Sequence, residues 1–143
     1  MTLSVQADVR KVLMPIGWSE ERQIDIEEWI LELRSRGFEI LGNGVLTLRN
    51  FGRLEYSNES ESNGLPIVDV VFDPRGVLVQ SLRDWHAQTG VRLFPIGEVD
   101  GQANLLVDED DIWYLSMGGL WKIGDCPNEG LAHLLLGRGG LDD

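Results

Sequence analysis

Hydrophobic positions along this chain change period several times, and each change marks a new element. Near the amino terminus Val5, Val9, Val12 and Leu13 recur at helical spacing, with Thr2 or Ser4 as N-cap and Pro15 as the stop. Ile16-Gly17-Trp18 then turns the chain. A second helix is predicted where Asp25 precedes Glu28 by three residues, a capping-box spacing, and Ile26, Trp29, Ile30 and Leu33 share one face as far as Gly37. Trp29 on that face is assigned to the core. Residues Phe38 to Phe51 fit two patterns, because Asn43-Gly44 between apolar runs signals a hairpin whereas Leu41, Val45 and Leu48 keep helical spacing.

Further on the period shortens. Leu54 to Tyr56 reads as a short strand and Ser57 to Gly64 as a polar loop. Pro66 to Asp73 reads as a buried strand of Ile67, Val68, Val70, Val71 and the core residue Phe72, stopped by Asp73-Pro74. Val79, Leu82, Arg83 and His86 lie on one side of a helix that runs to Thr89 and is capped by Gly90. Strands follow at Val91 to Phe94, Asn104 to Val107, Ile112 to Ser116 and Leu120 to Ile123. Their connections are far too short for parallel crossovers, so the sheet is antiparallel. A last helix, Asn128 to Leu136, ends at Gly137, with Arg138 to Asp143 as a loose tail. The fold class is α+β: an antiparallel sheet of five to six strands with helices packed on one face, in one domain spanning residues 1–143. A monomer or weak homodimer is expected.

Charge narrows the function classes. The chain carries a net charge of −12, unevenly placed: Met1 to Arg53 has eight acids against seven bases, and Leu54 to Asp143 sixteen against five. Such a field repels nucleic-acid phosphates and anionic membrane, and it attracts a basic partner. At 143 residues one domain buries roughly 70% of its unfolded surface, enough for a core without staples. Cys126 is the only cysteine, which excludes an internal disulfide and a multi-cysteine zinc site. With no apolar h-region and no run of 18 apolar residues, the expected location is the cytoplasm.

The usual catalytic patterns fail on their residues. Glu98, Asp100, Asn104 and Glu109 offer oxygen ligands, but Ala103 stands where a calcium loop needs Gly, and Leu105-Leu106-Val107 fills polar positions. No metal or cofactor is expected. His86 and His133 sit beside apolar helix neighbours with no nucleophile and orienting carboxylate to complete a set. Gly137-Arg138-Gly139-Gly140 has no helix after it to form a phosphate loop, and the Asn58-Glu59-Ser60 sequon carries no weight without a secretory route. The chain reads as a binding protein and not an enzyme.

What remains is an acidic, aromatic edge. Leu93-Phe94-Pro95-Ile96-Gly97-Glu98 reads as a strand ending in Pro-x-Gly, and Asp108-Glu109-Asp110-Asp111 precedes Ile112-Trp113-Tyr114. Glu98 to Asp111 holds six acids and no base. The candidate partner-binding residues are therefore Glu98, Asp100, Asp108, Glu109, Asp110 and Asp111, with Trp113 or Tyr114 as the apolar anchor. Burial of Trp113 in the core is the open alternative.

Gly17-Trp18, Arg22, Ile24-Asp25, Gly37-Phe38, Phe51-Gly52-Arg53-Leu54, Phe72-Asp73-Pro74, Leu93 to Gly97 and Leu105-Leu106-Val107-Asp108 resemble, in order and spacing, the SUKH superfamily of bacterial immunity proteins, in particular its third subgroup. Two departures stand out. Arg53 occupies a place where members often have a second Gly, and Asp110-Asp111 one where members often have a Gly turn. The resemblance implies an α+β fold with a helix over Leu41 to Phe51. It also implies that the chain binds and neutralises a cognate toxin, often a nuclease or nucleic-acid deaminase of a polymorphic toxin system. A non-inhibitory regulatory or scaffold protein of the same fold, or an uncharacterised enzyme, is the alternative.

Overall fold

A computed structural model describes residues 5–57 and 69–137 of the chain. The expected caps Thr2 and Ser4, residues 58–64 of the polar loop with its sequon, residues 66–68 of the buried strand, and the tail from Arg138 to Asp143 lie outside the described residues.

Helix α1 (Ala7–Leu13) buries Val9 and Leu13, and the chain continues into a short 3-10 turn at Met14–Ile16 that takes up Pro15. Helix α2 (Glu27–Ser35) begins later than the capping-box spacing predicts. Asp25 instead closes a tighter local turn, its carboxylate accepting the Glu27 N–H at 2.9 Å, so Ile26 is left as the cap residue. The expected apolar face is kept, with Trp29 and Leu33 buried. Helix α3 (Gly42–Phe51) settles the ambiguous segment, and Asn43-Gly44 lies in its first turn. A tertiary contact overrides the hairpin signal here. A Cβ on Gly44 would run into the Phe94 ring, so the missing side chain is what lets α3 press onto the sheet.

Strands β1 (Glu55–Ser57) and β2 (Asp69–Val71) are followed by a 3-10 turn at Pro74–Gly76 and by α4 (Val79–Thr89). Of the four residues expected on one side of α4, Leu82 is buried and Val79 half-buried, while Arg83 and His86 are exposed. Then come β3 (Leu93–Val99), β4 (Ala103–Asp108), β5 (Trp113–Ser116), β6 (Leu120–Gly124) and α5 (Pro127–Leu136), with Pro127 in the first turn and Gly137 left-handed at the end. Among the described residues six strands pair antiparallel in sequence order from β1 to β6, and the α+β class expected from the sequence holds. Helices, however, cover both faces of the sheet and not one, because α4 packs on the side away from α3 and α5.

Pro95-x-Gly97 does not end β3, contrary to expectation: the strand runs on to Val99. The physical reason is local. Among the described residues the pairing of β2 with β3 is confined to Val70–Val99 and Val71–Glu98, so Pro95 lies where β3 has a strand neighbour on the β4 side alone, and the β3–β4 register shifts between Pro95 and Gly97.

Phe94, Val107 and Trp113 stand opposite one another on one face of the sheet. There α3 packs through Gly44 on Phe94, and α5 through Gly130 on Trp113. Phe51 and Phe72 complete an aromatic core, with the Trp113 ring edge-on to Phe51 at 6.5 Å between centroids and tilted to Phe72 at 6.3 Å. On the other face α4 adds cover, its Trp85 indole donating to Ser116 Oγ at 3.1 Å. Two of the non-glycine residues with positive φ are Arg53 (φ 68°) and Asp111 (φ 66°). Arg53 lays its guanidinium over the buried Trp29 ring, 4.8 Å from the centroid.

Candidate functional site

The turn between β4 and β5 is built around one carboxylate. Asp108 is only 4% exposed. Its Oδ1 accepts the backbone N–H groups of Asp110 at 2.8 Å and Ile112 at 3.0 Å, and its Oδ2 accepts the Tyr114 hydroxyl at 2.9 Å. Asp108 is therefore the internal anchor of the turn and not a surface charge, because three of its lone-pair sites are filled from within. The Tyr114 phenol is held well above its usual pKa, chiefly by burial, then by its bond to Asp108 and the charges of Asp108, Asp110 and Asp125.

Two outside residues fix the turn in place. The Asn43 side-chain amide, at the start of α3, donates to the Asp108 carbonyl and to Asp111 Oδ1, the latter at 3.0 Å. Arg92, just before β3, donates to Glu109 Oε2 at 3.0 Å and to Glu39. The Arg92 bond holds the Glu39 carboxyl below its usual pKa. Pattern reading does not reach Asn43, Arg92 or Glu39. Asn43 is legible as a turn former but not as a long-range donor, and the Arg92–Glu39 pair joins residues 53 positions apart. After these bonds Glu109 and Asp110 remain exposed, with Asp111 half-buried.

The structure divides the acidic edge expected from the sequence. Leu93 pairs with Asp108 at one end of the β3–β4 hairpin and Val99 with Ala103 at the other. The six residues of β4 put these ends about 17 Å apart. Asp100 belongs to the far turn, where its Oδ1 accepts the Asp69 N–H at 2.7 Å. Glu98 sits beside Gly76, so close that a Cβ there would run into its carboxylate. Neither joins the Asp108–Asp111 turn. Trp113, expected as a possible exposed anchor, is fully buried, because α5 crosses directly over it and a Gly130 Cβ would come within 2.5 Å of its ring. It does not serve as an exposed anchor. Tyr114 is half-buried with its hydroxyl engaged.

Among the described residues, no group of three or more His, Cys, Asp or Glu side chains is arranged to hold a metal ion, and no helix is long and apolar enough to cross a membrane. The surface presents fixed carboxylates, which attract and orient a cationic counterpart. Residues 5–137 match the family model described as SUKH-3 immunity protein. No curated protein and no solved structure gives a match.

Proposed function

Because this chain belongs to the SUKH-3 immunity protein family, we propose that it neutralises a cognate bacterial toxin domain by direct contact, with no chemistry of its own. The match over residues 5–137 carries this reading. The partner is a basic domain that handles nucleic acid, a nuclease or a deaminase, and the net charge of −12 supports that choice through steering. Glu109, Asp110 and Asp111 of the β4–β5 turn form part of the contact. Their support is the anchoring just described: a turn already held by Asp108, Asn43 and Arg92 loses little freedom when a partner's Lys or Arg side chains arrive.

The experiment is rescue of growth in a bacterial cell that expresses the toxin domain encoded beside this chain. Wild-type protein restores growth, and failure to do so overturns the immunity reading. Asp110→Lys reverses a charge without touching Asp111, which holds the Asn43 amide. Association with the purified toxin domain slows on the order of several-fold at low salt and less at high salt, since screening acts over about 8 to 10 Å near physiological ionic strength. A rate unchanged at low salt removes the turn from the interface.

A further inference from the structure

We propose that the apolar anchor of the partner contact is Trp121, on the free edge of β6, and that a basic toxin domain occupies that edge. This rests on the immunity reading given above. Among the described residues strand β6 ends the sheet and pairs with β5 alone. On it Trp121 is 38% exposed, and Met117 in the preceding turn is 52% exposed. A Cβ on Gly119 would lie 3.1 Å from the Trp121 Cζ2 and Cη2 atoms, so the indole is propped against the hairpin turn while part of it faces solvent. An aromatic held on one side and open on the other loses little side-chain entropy when it is covered, which is the usual character of an interface hot spot.

Acidic side chains from two separate segments gather along the same edge. Lys122 is the cross-strand neighbour of Tyr114, and its ammonium is bonded to Asp125 at 2.7 Å. The Tyr114 hydroxyl donates to Asp108, whose other oxygen accepts the Asp110 N–H, and the Asp125 N–H donates to Glu129 Oε1 at 3.0 Å. Thus the β4–β5 turn and the β6–α5 junction meet at the Tyr114–Lys122 pair on one face of β6, while Trp121, next along the strand, projects to the other face, so a partner seated over the free edge reaches both. From Trp121 to Gly124 is about 10 Å along a strand. A standard interface of about 800 Å² per partner covers that whole strip.

The character of the edge selects its occupant. A second copy of this chain brings −12 against −12 and is repelled. Addition of a partner strand is opposed by Lys122 on the edge and by the register shift between Trp113 and Tyr114. A basic surface meets Asp110, Asp125 and Glu129 with Lys122 as the opposing charge, already satisfied by Asp125. An Arg from the partner also finds the exposed part of Trp121 for contact.

The test measures binding of Trp121→Ala and Met117→Ser to the toxin domain encoded beside this chain, inactivated in its own catalytic residue. Trp121→Ala is expected to weaken binding roughly 30-fold or more, mainly by faster dissociation, with the melting temperature held. Met117→Ser weakens it less. Hydrogen exchange of the wild-type complex slows at the Leu120–Gly124 amides, a readout that needs no variant to fold. Unchanged affinity in both variants, or unchanged exchange along β6, overturns the proposal while leaving the immunity reading intact. Absence of binding by the wild type overturns both. A dimer of the free protein that Trp121→Ala dissociates assigns the edge to a second copy and also overturns the proposal.

Discussion

Trp113 and Trp121 lie on neighbouring strands and on the same face of the sheet, since Trp121 stands opposite Leu115, two residues from Trp113. Both have carboxylates close by in sequence. One is fully buried and the other is 38% exposed. The difference comes from a third segment. Helix α5 crosses the face over Trp113, where Gly130 allows contact, and reaches β1, where the Leu135 carbonyl accepts the Tyr56 hydroxyl at 3.4 Å. Trp121 stands nearer the β5–β6 turn, away from the contact at Gly130. Burial on this sheet is decided by the course of the covering helix, and aromatic residues outside that course are left to the surface.

Truncating each tryptophan sharpens the contrast. Trp113→Ala is expected to cost about 3 to 5 kcal/mol in chemical denaturation, the range for a large buried aromatic that leaves a cavity. A loss below about 1 kcal/mol, the size of a surface effect, means that α5 does not cover this position. Gly130→Ala tests the same contact from the helix side. Helix propensity alone gives a gain of about 1 kcal/mol for Gly to Ala, whereas forcing a methyl into the Trp113 ring costs about 1 to 3 kcal/mol. The clash outweighs propensity, so a net loss of about 1 kcal/mol is expected, and a net gain breaks the picture. Trp121→Ala shifts stability least, by less than about 1 kcal/mol, as for surface sites. A loss as large as that of Trp113→Ala makes Trp121 a core residue and ends its role as an anchor.

Legibility in the sequence follows the range of the forces involved. Strands β4, β5 and β6 lie close to their expected bounds, because runs of apolar residues flanked by Asp and Gly define them locally. Helix α3 is undecidable by pattern, since the contact that selects it is with Phe94, 50 positions beyond Gly44. The acidic turn is visible in the sequence, but its internal division is not. An Asp opening a turn, with free N–H groups two and four residues on, is a signal for the anchoring role of Asp108 that charge counting hides. Burial of Trp113 depends on Gly130, and no local pattern around Trp113 reports it. The split of Glu98 and Asp100 from Asp108–Asp111 follows from β4 lying between them as an extended strand.

Arg53 and Asp111 fall at the two departures from the SUKH resemblance, Asp111 as one member of the Asp110-Asp111 pair, and both adopt the left-handed backbone that glycine reaches freely. An L-residue there costs about 1 to 2 kcal/mol in backbone energy. The cost is offset at Arg53 by stacking on Trp29 and at Asp111 by the Asn43 amide. The path of the main chain is thus indifferent to whether these positions carry charge. Sequence divergence can add or remove a guanidinium at 53 and a carboxylate at 111 without redrawing the turns, so surface identity and backbone shape are free to evolve separately. An engineer moving recognition between relatives has two positions at which glycine fits the backbone freely and only the side-chain contact, with Trp29 or with Asn43, is lost.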